Sequence, residues 1–353
     1  MGKKRKRKLN YFRVVVAAVL ILLIFIGFSF IISSCSDHSD DKPVSKAVSS
    51  LSSEDEEIPV TTAEPTTEEP TTEPLPSVSY PTLTPDSAEF SEDITPLHGI
   101  LIDTDSNEIV AYRDYDTVMY PASLTKIMTL IVTVENTDDL SETVTITPDM
   151  VDPMVEAEAS RAGFVAGETP TVEEVLYGLI LPSGGDAALA AAIHTAGSEE
   201  AFVELMNRKA EELGLKNTHF TNPVGLHDVN HYSTAEDIAL ILEYALQNEE
   251  CKKILSTYQY QIEPTEYNPE GLLLTSTVFS RMEGTEMPGV VIKGGKTGYT
   301  DEAGNCLATY AEANSKTYVL VYTGATSQWN IVYDTLSAYS IFCVGGDAYD
   351  PPQ

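Results

Sequence analysis

From Val14 to Ser33 the chain runs for twenty residues without a charge (VVVAAVLILLIFIGFSFIIS). At about 1.5 Å of rise per residue, a helix of about 20 apolar residues spans the roughly 30 Å hydrocarbon layer of a bilayer. A core helix of a water-soluble domain has no need to be apolar on every face. The seven basic residues within 1–13, a run from Lys3 to Lys8 joined by Arg13, fit a cytoplasmic flank and place the remainder outside the cytoplasm. The expectation is a single-pass anchor at 14–33 behind a basic tail at 1–13. Reading the tail as a nucleic-acid patch leaves the apolar run unexplained.

The anchor has two alternatives. Residues 32–35 (ISSC) resemble a bacterial lipoprotein processing box, which would put a lipid on Cys35 at a new N-terminus. Cleavage as a signal peptide is the other, although the run is long for one. Residues 34–92 are dominated by Ser, Thr, Pro, Glu and Asp, with TTAEPTTEEPTTEP at 61–74 a near-repeat. Proline removes donors, the acids repel and little apolar surface offsets ordering entropy, so a disordered stalk is expected. The formal net charge is -33, and residues 96–353 carry 39 acids against 12 bases. Such a surface is a poor partner for nucleic acid. No C-x-x-C pair exists among Cys35, Cys251, Cys306 and Cys343, which argues against a zinc knuckle or a thioredoxin-like redox motif. The last three allow at most one disulfide, and the sequence does not choose the pair.

The folded domain is placed at 93–345, with a short tail at 346–353. Alternation and a polar turn predict a β-hairpin over 98–103 and 108–112. Pro121 precedes ASLTKIMTLIVTVE at 122–135, a helix apolar on most faces and therefore central. Helices are predicted over 171–181, 185–196, 199–213 and 233–247, the last with a capping-box-like start at Ser233 and Thr234. Strands return at 289–293, 305–311 and 317–323, followed by a helix around 328–342. Strands first, helices in the middle and strands last predict an α+β fold. Both ends of the domain form a mixed, largely antiparallel sheet, packed with helices and carrying an inserted helical cluster.

Three short signals can carry chemistry. Ser123 and Lys126 lie three apart at a helix start, so their side chains share a face. Ser183 sits in PSGGD (182–186), a polar turn between two helices. Lys296, Thr297 and Gly298 lie in KGGKTGY (293–299), among glycines that allow close backbone approach. Each is weak alone: Ser183 by itself reads more readily as a cap for the next helix. A phosphate loop would need Gly-x-x-x-x-Gly-Lys-Ser/Thr running straight into a helix, whereas this text continues into a strand.

Together the signals are specific. Ser-x-x-Lys, then a serine turn about 60 residues on, then Lys-Thr-Gly about 110 further, resembles the serine-type penicillin-binding proteins and serine β-lactamases. The phrases PASLTKIMT, LPSGGDAA, FTNPVGLHD, HYSTAEDIALI and GGKTGYTDEAG resemble the low-molecular-mass D-alanyl-D-alanine carboxypeptidases in particular, over roughly residues 95–345. The resemblance implies that Ser123 attacks the D-Ala-D-Ala carbonyl, Lys126 takes its proton and Ser183 passes a proton to the departing D-alanine. It also implies that Lys296, Thr297 and Gly298 receive the substrate carboxylate, and that the backbone amides of Ser123 and Tyr299 form the oxyanion hole. Peptidoglycan stem peptides would be the substrates and β-lactams the inhibitors, with no metal and no cofactor.

Two departures stand out. The family's second motif reads Ser-x-Asn, whereas Gly185 here carries no amide; Asp186 and Asn222 are the candidates to compensate. Val224 stands where many relatives have His. His227 and His231 read as loop histidines near a groove or surface. The rivals are a weakly catalytic wall-binding or β-lactam-sensing domain, motivated by Gly185, and a serine β-lactamase, disfavoured because no Glu-x-x-x-Asn text is found.

Overall fold

The structure, a computed structural model, describes residues 78–285 and 287–350. All of them lie in the compact unit Thr71–Gln353. Its centre is a six-stranded sheet in the order β1-β3-β2-β8-β7-β6. The strands are β1 (Thr82–Glu89), β2 (His98–Asp103), β3 (Glu108–Arg113), β6 (Val290–Thr300), β7 (Gly304–Ala313) and β8 (Lys316–Ala325). Strand β1 runs parallel to β3 and the other pairs are antiparallel. Strands β4 (Gln259–Ile262) and β5 (Leu272–Thr275) form a separate hairpin.

Period-two alternation puts the sheet between two apolar layers. Ile100, Ile102, Val319 and Val321 face the larger core. Leu101, Leu320 and Tyr322 face the other way, toward Ile331, Val332 and Leu336 of the C-terminal helix. In the larger core lies the expected central helix, α1 (Lys126–Glu135), buried from Lys126 to Thr133 and preceded by a 3-10 turn at Ala122–Thr125. Around it pack α2 (Pro148–Glu156), α3 (Val172–Ile180), α4 (Gly185–Ala196), α5 (Glu199–Glu212), α6 (Ala235–Gln247) and α7 (Glu249–Leu255). Helix α8 (Thr277–Met282) leads into β6, and α9 (Asn330–Ala338) covers the second face. The mixed fold, with strands from the early and late parts of the domain in one sheet, is therefore the one expected.

Three expectations change. The stalk was drawn to residue 92, yet Thr82–Glu89 is strand, because Phe90 and Ile94 bury against the second core and Arg113 donates to the carbonyls of Phe90 and Pro96. Strand β6 continues through the Lys-Thr-Gly run instead of ending at 293. The single-pass membrane placement, with its transmembrane helix, is corrected as well. Among the described residues no helix is long and apolar enough to cross a membrane; helix α5, at 14 residues, reaches about 21 Å against the roughly 30 Å required. The segment at 14–33, the lipid site at Cys35 and most of the stalk fall outside the described residues. Cys251, Cys306 and Cys343 are buried free thiols, so no disulfide joins them.

Candidate active site

The turn that presents Ser123 is built around an unusual backbone. Ala122 has φ 48°, in the left-handed region that a side chain with Cβ rarely adopts. Its carbonyl is held from two sides: Thr125 Oγ1 donates to it at 2.8 Å, and Gly225 lies against it so closely that a Cβ there would come within 2.0 Å of the oxygen. Gly225 itself has φ +85°, so both space and conformation demand glycine.

One turn on, Lys126 is 1% exposed. Its Nζ donates to Ser123 Oγ at 3.0 Å and to the Val224 carbonyl at 2.7 Å. Burial pushes the amine down to about 7, opposed only by the Asp186 carboxylate. Burial also holds Lys296 well below its usual value, with the charges of Lys126 and Arg281 adding to the effect. Lys296 Nζ donates to the Thr297 carbonyl at 2.7 Å, and Thr297 Oγ1 meets Thr277 Oγ1 at 2.7 Å.

Strand β6 brings Lys296, Thr297 and Gly298 to the nucleophile turn. A Cβ at Gly298 would lie 3.1 Å from the Ser123 amide nitrogen, so the backbone passes close. Ser183, buried and at φ 64°, completes the opposite wall from the loop before α4. Ser123, Lys126, Ser183, Thr297, Gly298 and Tyr299 line one cleft of about 530 Å³, while Lys296 lies fully buried outside its lining. The Tyr299 side chain points outward, 57% exposed, with its hydroxyl on Asp301.

The supporting positions behave differently from one another. Asp186 is fully buried and accepts from the amides of Ala162, Gly163 and Ala187. It ties the cleft's 160–163 rim to the start of α4. Asn222 Oδ1 accepts from the amides of Val224, Gly225 and Leu226. It therefore shapes the loop whose Val224 carbonyl holds Lys126. Neither side chain hydrogen-bonds Lys126. At Gly185 the space an amide would need is occupied: a Cβ there would lie 2.4 Å from Met154 Sδ and 3.2 Å from Val224 Cγ1.

Three cleft residues were missed in the sequence. Arg281 on α8 lines the cleft, and among the described residues it makes no ion pair. Thr277, also on α8, couples Thr297 to the Leu181 carbonyl through its own amide. Glu158 stands on the rim with φ 51°. The signal for Arg281 was present as a lone base shortly before Lys296 in an acid-rich chain. His227 does line the cleft, whereas His231 is buried behind the nucleophile turn and is no surface histidine.

Residues 85–327 match the Peptidase S11 family, described as D-alanyl-D-alanine carboxypeptidase. The D-alanyl-D-alanine carboxypeptidase DacF of Bacillus subtilis is 34% identical over 228 residues, covering 65% of this chain and 57% of the relative. A D-alanyl-D-alanine carboxypeptidase of a Streptomyces species (strain K15) is 31% identical over 253 residues, 69% of this chain and 86% of the relative. The solved Streptomyces K15 DD-transpeptidase superimposes with a TM-score of 0.63 at 28% identity, covering 73% of this chain and 96% of that one. The chain spans 57% of the Bacillus subtilis and Haemophilus influenzae relatives. A match across most of the described unit, with Ser123, Lys126, Ser183, Thr297 and Gly298 in one cleft, means that the chain belongs to the D-alanyl-D-alanine carboxypeptidase family.

Proposed function

We propose that this protein hydrolyses the terminal D-Ala-D-Ala bond of peptidoglycan stem peptides through an acyl-serine and is acylated at the same serine by β-lactams. The observation that carries the reading is the buried Lys126 amine, brought down to about 7 and 3.0 Å from Ser123 Oγ. A serine hydroxyl must lose its proton as it attacks, and a neutral amine within hydrogen-bond reach can take it. Ser123 Oγ bonds to the carbonyl carbon of the penultimate D-alanine while the Ser123 proton passes to Lys126. The amides of Ser123 and Tyr299 receive the developing oxyanion, each worth a few kcal/mol by order of magnitude. Ser183 then relays a proton to the departing amine, D-alanine leaves, and water releases the acyl group. Lys296, Thr297 and Gly298 receive the substrate's terminal carboxylate, and Arg281, which makes no ion pair among the described residues, supplies a cation to the same cleft. The catalytic domain, read at 93–345, takes in strand β1 as its edge.

Met154 favours a second reading. With a thioether where the family's amide would stand, the substrate amide loses an anchor, and the protein would trap β-lactams while turning over peptide slowly.

The purified protein is incubated with a D-Ala-D-Ala-terminated peptide and with a fluorescent penicillin, beside Ser123→Ala. D-alanine release and labelling that both disappear in the variant support the carboxypeptidase. Labelling without release favours the sensor, and reaction with neither sinks the acyl-serine proposal.

A further inference from the structure

We infer that His231 is a positioning residue for the nucleophile, an imidazole that ties the carbonyl immediately ahead of Ser123 to the loop that holds Lys126. The inference rests on the acyl-serine reading above.

The direction of each hydrogen bond follows from its neighbours. The Thr221 amide is an obligatory donor and lies 3.1 Å from His231 Nδ1, so Nδ1 presents its lone pair and the proton resides on Nε2. Nε2 lies 2.7 Å from Thr125 Oγ1 and donates to it. The Thr125 hydroxyl proton is then free to go to the Ala122 carbonyl, 2.8 Å away. The relay runs without conflict from the Thr221 amide through imidazole and hydroxyl to the carbonyl preceding Ser123.

Both ends of the relay matter to the reacting pair. At one end is Ala122, a non-glycine residue at φ 48°, a conformation that persists only where the surroundings hold it. At the other end Thr221 leads into Asn222, which folds the loop that offers the Val224 carbonyl to Lys126 Nζ. The segment is clamped as well: Met119, just before the turn, exchanges backbone hydrogen bonds of 2.8 and 2.9 Å with Ser233. The ring is 2% exposed and stands edge-on to Phe220, with centroids 5.6 Å apart. Burial, aided by the neighbouring His219, pushes the imidazole down to about 4, which keeps the single-proton form the relay requires at neutral pH.

Mere space-filling is separable from positioning by chemistry. His231→Gln keeps one acceptor for the Thr221 amide and one donor for Thr125, whereas His231→Phe keeps the ring volume and removes both. Thr125→Val keeps the shape of the middle link and removes its hydroxyl. The readout is the rate of acylation by fluorescent penicillin, measured well below each protein's melting midpoint. His231→Phe and Thr125→Val should acylate roughly 10- to 100-fold more slowly, the penalty of a misplaced nucleophile, and His231→Gln should stay close to wild type. His231→Phe at the wild-type rate overturns the inference, as does a His231→Gln variant as slow as His231→Phe. Should His231→Phe fail to fold, Thr125→Val decides in the same way. A wild-type protein that takes no label overturns the acyl-serine reading and the positioning role together, a result distinct from equal rates in labelled variants.

Discussion

In the mechanism proposed above, burial of the Lys126 amine sets the pH at which Ser123 can be activated. With its folded value near 7, the amine is protonated below neutrality and cannot take the serine proton. The acylation rate plotted against pH should rise through a limb centred near 7; a profile flat between about pH 5.5 and 8 would show that Lys126 is not the base. The stability contribution has a defined sign too. The unfolded lysine titrates in the ordinary amine range, so between about 7 and that range the unfolded state binds the extra proton, and this lysine's contribution to stability grows as pH rises. Gly185 gives a second prediction at this scale. Gly185→Asn alone should destabilise by about 1–3 kcal/mol, because its Cβ collides with Met154. Adding Met154→Ala should relieve part of that and raise D-alanine release, and a double variant no more stable than the single one counts against the steric account. Ser123 and Lys126 were legible because three positions on a helix place them together without any knowledge of the fold. His231 and Thr125 were not: their contact joins residues 106 apart, and no spacing rule reaches that far.

Elements with strong periodicity were read well, and those that depend on partners were not. The hairpin β2–β3 and helix α1 came from alternation and apolar content. Helix α2 was missed because it is short, buries only Met150 and Met154 and carries Pro153 inside it. Strand β6 was cut short because its glycines argue against strand. In the fold Gly295 is where a Cβ would lie 2.1 Å from the Ala308 carbonyl, so glycine is what lets β6 and β7 stay paired. Strand β1 was hidden in the stalk's composition, and its approach is fixed by Tyr80. The Tyr80 hydroxyl donates to the buried Asp237 at 2.5 Å and accepts from the Lys216 amide, while the Lys216 ammonium lies 3.4 Å from its ring centroid. Tyr80→Phe leaves the Asp237 carboxylate one donor short and should cost about 1–3 kcal/mol, read as a lower melting midpoint. An unchanged midpoint would mean that the entry segment contributes nothing to the domain.

At the scale of the whole molecule the field and the site oppose each other. Residues 96–353 carry 39 acids and 12 bases, yet the cleft places Arg281 opposite the field, with Lys126, Glu158, Asp301 and Glu302 also in its lining. On the reading proposed above, a carboxylate-bearing peptide approaches against the general field and is held by Arg281 in the cleft. Moderate salt screens the first more than the partly buried second, so kcat/KM for the peptide should rise or hold level between low salt and about 0.15 M. A steady fall would show that the cleft's own charges dominate at long range. Composition disclosed the field, but the placing of Arg281 in the cleft required the fold. The sheet order leaves one more consequence. Strand β1 closes one edge of the sheet and β6, with the Lys-Thr-Gly backbone, forms the other. Pro85 and a break in register between Leu83 and Ala88 make the β1 edge a poor template for another chain. For protein engineering, a tag or fusion joined ahead of residue 78 enters at the edge remote from catalysis. A trimmed version begun after β1 would trade that guard for the bare rim of β3, inviting self-association and loss of solubility before any loss of chemistry.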